Sequence, residues 1–404
     1  MRAMLRAGHG LVLCVLSLLI FGVVMVQSAG LRIVPDRSIA ISEILLGKQT
    51  LLAAIAIVVL LIASRIPINR LFTARGLWSP IPWIIVGSIV LLLLVHVPGI
   101  GREVNGARRW ISLGPIGFQP SELAKWGMIL VLAWYAARHV GSMHLFRSGF
   151  LPPMLLIGII CILIATEDLG TAVLIGGVGV CLLIAAGARV RHAAVLLPLG
   201  AAGFACAVIT SEYRMNRLRA FIDPFQDPQG IGYHVIQSMS AVNGGGLAGR
   251  GLGNSVQKFG YLPEDTTDFI FAIICEELGI MGAALVVCLY AGLLLCGITI
   301  IKGTTSPFQR LLGLGVLLTL GFQALINMAV VTGSAPTKGI ALPLLSAGGT
   351  GWIVTAFSIG LLVSMDREQG RKRNSLPTCN PAHPISQEVA TMPGMSAQTN
   401  PQIS

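Results

Sequence analysis

Long apolar runs alternate with short polar segments along the 404 residues. A helix rises about 1.5 Å per residue, so about 20 residues cross a hydrocarbon layer of about 30 Å. Runs that meet or nearly meet this length fall at about 10–29, 49–64, 81–98, 121–138, 150–166, 170–187, 192–210, 269–298, 311–332 and 339–365. This pattern predicts an all-α, polytopic membrane protein with ten transmembrane helices. Little more than Glu167 and Asp168 separates the fifth and sixth runs, which gives a tight hairpin, and Glu276 and Glu277 interrupt the eighth. Arg2 and Arg6 precede the first run and Ser28-Ala29-Gly30 follows it, as in a secretory signal. Its apolar core of about 19 residues exceeds the 7 to 15 or so of such signals, so it reads as an uncleaved helix.

Composition agrees: 54% of residues are hydrophobic and 11% charged, against about 25% charged in soluble domains. A water-facing surface over the whole chain is excluded, and with it a soluble enzyme, a disulfide scaffold or a disordered protein. The net charge of +11 does not point to nucleic acid, because the basic residues are scattered over short loops. With the N-terminus placed in the cytoplasm, inside segments hold fifteen basic and three acidic residues, and outside segments twelve and eleven. The excess of positive charge puts both termini in the cytoplasm. The eight cysteines and seven histidines show no paired metal-ligand spacing, and the cysteines in apolar runs read as small hydrophobes. Residues 366–404 open with a basic cluster and continue in Ser, Thr, Pro, Gln and Asn, the composition of a disordered cytoplasmic tail.

Two outside segments exceed what a connection needs: 99–120, and 211–268 between the seventh and eighth runs. In the second, Arg214 and Arg217 are three apart and share a helical face suited to lipid phosphate, or simply to anchoring at the interface. In the first, Arg108 and Arg109 lie on the outer side against the charge bias, so an anionic ligand or a specific carboxylate is expected there. Glu122 and Lys125 follow at i,i+3, where an ion pair inside the membrane boundary points to function. Gly244 to Ser255 is glycine-rich but lacks a nucleotide-loop signature, and it suits tight backbone near a lipid–water boundary. Asp268 stands where polar loop gives way to apolar helix, the place for a carboxylate that meets both a lipid-borne substrate and water. Glu276 and Glu277 lie deeper, as partners of a cation or as proton carriers.

Several blocks resemble one family in order and spacing. Asn105-Gly106-Ala107-Arg108-Arg109-Trp110-Ile111 and Phe118-Gln119-Pro120-Ser121-Glu122-Leu123-Ala124-Lys125 are similar to the signature of the shape, elongation, division and sporulation (SEDS) family of bacterial membrane proteins, which includes FtsW, RodA and SpoVE. Asp168-Leu169-Gly170-Thr171-Ala172, Leu262-Pro263-Glu264 with Thr267-Asp268-Phe269-Ile270-Phe271-Ala272, Glu276-Glu277-Leu278-Gly279 and Pro336-Thr337-Lys338-Gly339 resemble its other blocks. The resemblance covers about 80–365. Around Ser255, Gln257-Lys258 and Tyr261-Leu262-Pro263-Glu264 it is nearer FtsW and SpoVE than RodA. The chain departs from the family at Thr166-Glu167, at Asp265-Thr266, and at Ala347 and Gly351.

The resemblance implies that 49–365 is a SEDS-like transmembrane glycosyltransferase domain containing the 211–268 loop, after an N-terminal helix and divergent first outer loop at 1–48. It implies a peptidoglycan glycosyltransferase of the bacterial cytoplasmic membrane, polymerising lipid II into β-1,4 glycan, at the division septum by its subfamily. Asp268 is then the general base, with Glu122 and Lys125 also catalytic. Arg108, Arg109, Gln119, Ser121, Arg214, Arg217, Gln257, Lys258 and Lys338 are the substrate-binding candidates, and Asp168, Glu276 and Glu277 the structural or coupling ones. Charge on the departing pyrophosphate is met by these cations or by a divalent cation such as magnesium held by acids. The implied partners are lipid II, the nascent glycan, a class B penicillin-binding transpeptidase and other divisome proteins. The alternatives are a lipid II flippase, a RodA-like elongation polymerase, and a non-catalytic scaffold for the transpeptidase.

Overall fold

In the computed structural model, the described residues are 6–30, 47–68, 80–98, 100–104, 107–113 and 116–375. Most of the residues read above as a tail, and much of the first outer loop, lie outside them. Among the described residues the first helices are α1 (Ala7–Ala29), α2 (Lys48–Ala63) and α3 (Pro80–Leu94). A three-stranded antiparallel sheet follows, of β1 (Gly101–Val104), β2 (Ala107–Leu113) and β3 (Ile116–Phe118), with β2 in the middle. Then come α4 (Pro120–Arg138), a π-helical turn at Phe146–Phe150, α5 (Leu151–Ala165), α6 (Leu169–Ala185) and α7 (Val190–Ile209). The long segment contains α8 (Glu212–Ile222) and α9 (Tyr233–Gly244), and the chain continues with α10 (Ile270–Gly303), α11 (Pro307–Val331) and α12 (Gly349–Ser375).

The expectation of ten membrane-spanning helices is corrected. Among the described residues, six helices are long and apolar enough to cross: Ala7–Ala29, Phe146–Ala165, Val190–Ile209, Ile270–Gly303, Pro307–Val331 and Gly349–Arg371. The apolar helices α2, α3 and α6 have 16, 15 and 17 residues, or about 22–26 Å at the helical rise, short of a 30 Å core. α4 reaches 19 residues but, with Glu122, Lys125 and Arg138 along it, is too polar on average to be counted with them. Run length overcounted for two reasons: 49–64 is nearly all helix but too short to cross, and 81–98 and 170–187 extend past the ends of α3 and α6 into turns. The placing of 211–268 between a seventh and an eighth span falls with that count. Segment 99–120, read as longer than a connection needs, holds the sheet.

The core lies between helices. α11 is the central rod, packed against α4, α6, α9, α10 and α12, with Leu312, Val316, Leu320 and Ala324 buried. α1 packs on α10, and α2 on α12. Outward faces remain apolar: Val195, Leu197 and Leu199 of α7 are exposed, Leu199 by 72%. Such exposure is unfavourable in water and ordinary against lipid tails. The chain is a multi-pass membrane protein.

α10 is broken at Gly279, whose φ of 65° is left-handed and suits glycine. The glycine-rich loop fills the break. The amides of Arg250 and Gly251 donate to the carbonyls of Glu276 and Glu277 (3.0 and 2.9 Å), and the Ile280 amide donates to Gly246 (3.0 Å). A Cβ on Gly249 would stand 2.1 Å from the Glu277 carbonyl oxygen. Close backbone approach is therefore what the glycines provide.

Candidate active site

A cavity of about 290 Å³ opens where the sheet, the N-terminal ends of α4 and α6, α8 and the loops before α10 and α12 converge. That is near the lower end of the roughly 300–1,000 Å³ usual for ligand pockets. Arg109, Glu122, Lys125, Asp168, Arg217 and Asp268 all line it.

On α4, Pro120 occupies the first turn, where a missing N–H costs nothing. One turn of helix brings Glu122 beside Lys125, whose Nζ donates to both carboxylate oxygens at 2.8 Å. Lys125 is 2% exposed and also donates to Gln323 Oε1 of α11 at 3.1 Å. A buried ammonium with three acceptors is held in one place.

Asp268 stands two residues before α10, in a turn set by Glu264. Glu264 has a φ of 59°, strained for a residue with a side chain. Its carbonyl accepts the amides of Thr267 and Phe269 (3.1 and 3.2 Å). Burial, then the Glu264 charge, pushes the Asp268 carboxyl from its usual 3.8 up to about 7, with Arg217 pulling the other way. A carboxylate poised near neutrality is suited to taking and giving a proton.

The cations surround it. Arg217 donates to the Thr337 carbonyl (3.3 Å) and stacks on the Tyr213 ring at 4.4 Å. Arg109 is 3.9 Å from Asp168, and Asp168 caps α6 through the Thr171 amide and hydroxyl (3.0 and 2.8 Å). Gln119 reaches the cavity as well.

Other candidates are placed elsewhere. Arg108 pairs with Glu103 at 3.6 Å and lines, with buried Ser121, a small neighbouring cleft. Arg214 donates to the carbonyls of Ala165, Thr166 and Ala207, joining the C-terminal ends of α5 and α7. Lys338 sits 5.3 Å over the Phe204 ring, and burial lowers its pKa. Lys258, Glu276 and Glu277 form a separate interior cluster. Lys258 Nζ meets Glu277 at 3.2 Å, and the Gln257 amide donates to Glu276 at 3.3 Å. Among the described residues, no three His, Cys, Asp or Glu side chains converge in a metal-holding group.

Sequence reasoning passed over Gln323, Asn327 and Trp352. Gln323 and Asn327 are amides at i,i+4 within an apolar helix, and polar groups in a membrane span are a usable signal. Trp352 donates to the Ser346 carbonyl at 2.7 Å beneath the cavity.

Residues 9–371 match the family described as Cell cycle protein, FtsW/RodA/SpoVE. A probable peptidoglycan glycosyltransferase FtsW of Geobacter metallireducens is 37% identical over 358 residues, covering 88% of this chain and 93% of that one. Stage V sporulation protein E of Bacillus subtilis is also 37% identical over 358 residues, 88% and 96%. A solved chain from work on "Structural coordination of polymerization and crosslinking by a peptidoglycan synthase complex" superposes with a TM-score of 0.70 at 30% identity, covering 89% of this chain and 97% of that one.

Proposed function

The chain belongs to the FtsW, RodA and SpoVE family of cell cycle proteins, and from that premise we propose that it is a peptidoglycan glycosyltransferase that polymerises lipid II at the outer face of the bacterial inner membrane. The observation that carries this reading is the shared cavity. A carboxylate with a pKa near 7, an immobilised ammonium and two guanidinium groups line one volume.

Glycosyl transfer needs each of these. The 4-hydroxyl of one lipid-linked disaccharide attacks C1 of the sugar at the reducing end of the growing glycan. Asp268 takes the hydroxyl proton as the new C1–O bond forms. The bond from C1 to the undecaprenyl pyrophosphate breaks, and its electron pair leaves with the phosphate oxygen. An α-linked donor thus gives a β-1,4 bond. Lys125, Arg109 and Arg217 stabilise the charge that collects on the pyrophosphate. Glu122, bonded to Lys125 through both oxygens, fixes the ammonium and tempers its charge.

The FtsW and stage V sporulation names among the relatives support a role at the division septum rather than along the side wall. A neighbour solved in a study of polymerisation coordinated with crosslinking supports a class B transpeptidase as the working partner. The test is purified full-length chain in lipid nanodiscs with fluorescent lipid II, alone and with the cognate transpeptidase. Glycan ladders are expected. Lipid II carried across a vesicle membrane with no polymer formed would favour a transporter instead, and no product in either assay would favour a scaffold.

A further inference from the structure

α11 carries a polar pair on the face it turns to the cavity. Gln323 and Asn327 are one turn apart, 9% and 1% exposed, among apolar neighbours. Gln323 joins the Lys125 ammonium to the Ala341 carbonyl, at 3.1 and 2.9 Å. Asn327 gives one amide nitrogen to two carbonyls, Asp268 and Ile340, both at 2.8 Å. These belong to the turn that carries the carboxylate and to the strap that follows Lys338. Among the described residues the Asn327 Oδ1 has no hydrogen-bond partner. A buried unpaired acceptor is unfavourable, and rotating the amide would set that oxygen against two carbonyl oxygens. The side chain therefore works as a donor alone.

The two segments that it joins are in close contact. A Cβ on Gly339 would stand 2.9 Å from Asp268 Oδ2, so the strap backbone runs directly beside the carboxylate. We propose that Asn327 is a positioning residue for glycosyl transfer: its two amide hydrogens fix the separation of the Asp268 turn and the 337–341 strap, and so the place of the Asp268 carboxylate in the cavity. This rests on the reading of Asp268 as the base.

The experiment measures kcat and KM for fluorescent lipid II, with the thermal transition, for full-length Asn327→Asp, Asn327→Ala and Asn327→Ser in nanodiscs. Ser238→Ala is the control. Ser238 is equally buried and donates to the Val331 carbonyl one turn beyond Asn327, at 2.7 Å, and neither Ser238 nor Val331 lines the cavity, so its loss removes a bond of the same kind without touching the Asp268 turn or the strap. Small displacements of a reacting group are costly to rate. Asn327→Asp and Asn327→Ala are expected to lower kcat about tenfold or more with KM within about twofold. Asn327→Ser, which keeps one donor, falls between, and Ser238→Ala keeps kcat. If the first two variants do not fold, the kcat of Asn327→Ser decides. Wild-type kcat in the folded Asn327 variants, a change confined to KM, or losses matching Ser238→Ala would overturn the proposal. An active Asp268→Asn would instead remove the reading beneath it.

Discussion

Lys258 belongs to the substrate-binding set implied by the sequence resemblance, and its surroundings support a structural role instead. It is 4% exposed, and its Nζ reaches Glu277 Oε1 (3.2 Å), the Gly253 carbonyl (2.6 Å) and the Ser28 carbonyl (3.2 Å). Glu277 is fully buried beside Glu276 at 1%, and Arg250, the other cation, pairs with Glu276 at 3.2 Å. Lys258→Met keeps the bulk and removes the charge, leaving Glu277 without its cation in the interior. Removing one partner of a buried pair costs about 3–5 kcal/mol, a large fraction of the roughly 5–15 kcal/mol that holds a protein folded. Removing both, in Lys258→Met with Glu277→Leu, is expected to cost far less than the sum of the single changes. Reversible unfolding in mixed micelles gives these values, and polymerisation by the folded fraction is expected to stay near wild type. A Lys258→Met chain of normal stability with lost polymerisation would refute the structural assignment and return Lys258 to the substrate. Strict additivity of the two changes would refute the coupling.

Three further outcomes are expected. Because Asp268 titrates at about 7 and acts ionised, initial polymerisation rates should rise about tenfold from pH 6 to pH 8; a flat profile contradicts this. The raised value also means that the folded chain binds this proton more tightly than the unfolded one, so the group's contribution to stability is present at low pH and lost as pH climbs from about 4 through about 7. Gly279→Ala puts a Cβ 2.5 Å from the Gly249 amide nitrogen at a left-handed position, and should lower the thermal transition and membrane yield sharply; wild-type yield and transition would contradict the account of the helix break. Gly339→Ala presses on Asp268 Oδ2 at 2.9 Å, and should cut polymerisation with little change in stability, as rate and melting measurements on one preparation would reveal.

How much of this was legible in the sequence depended on the range of the interactions. The Glu122–Lys125 pair is one helical turn, so spacing alone carried it. Asp268 was marked by a change from polar loop to apolar helix, a local signal. Burial of Lys258 was not legible, because its partners Ser28 and Glu277 are 230 and 19 residues away and nothing in Gln257-Lys258 separates an interior lysine from one facing a ligand. Arg214 and Arg217 are three apart on α8, yet the Arg214 guanidinium goes to helix-end carbonyls of α5 and α7. The sheet left a usable trace: Asn105-Gly106 stands between β1 and β2, and that dipeptide between short strands is a strong hairpin signal. The helix count failed because runs that only nearly reach a span's length were counted as crossings, as at 49–64, and because 81–98 continues into turn residues after α3 ends at Leu94.

The most direct test is Asp268→Asn in the purified full-length chain, with fluorescent lipid II and the cognate transpeptidase present. The amide keeps the shape and removes the base, and loss of a general base lowers rate by about 10²–10⁴-fold. The expected result is that glycan ladders disappear while the thermal transition at pH 8 stays level or rises, since a partly buried carboxylate has been neutralised. Ladders forming at near the wild-type rate would contradict the assignment of the reaction to this cavity.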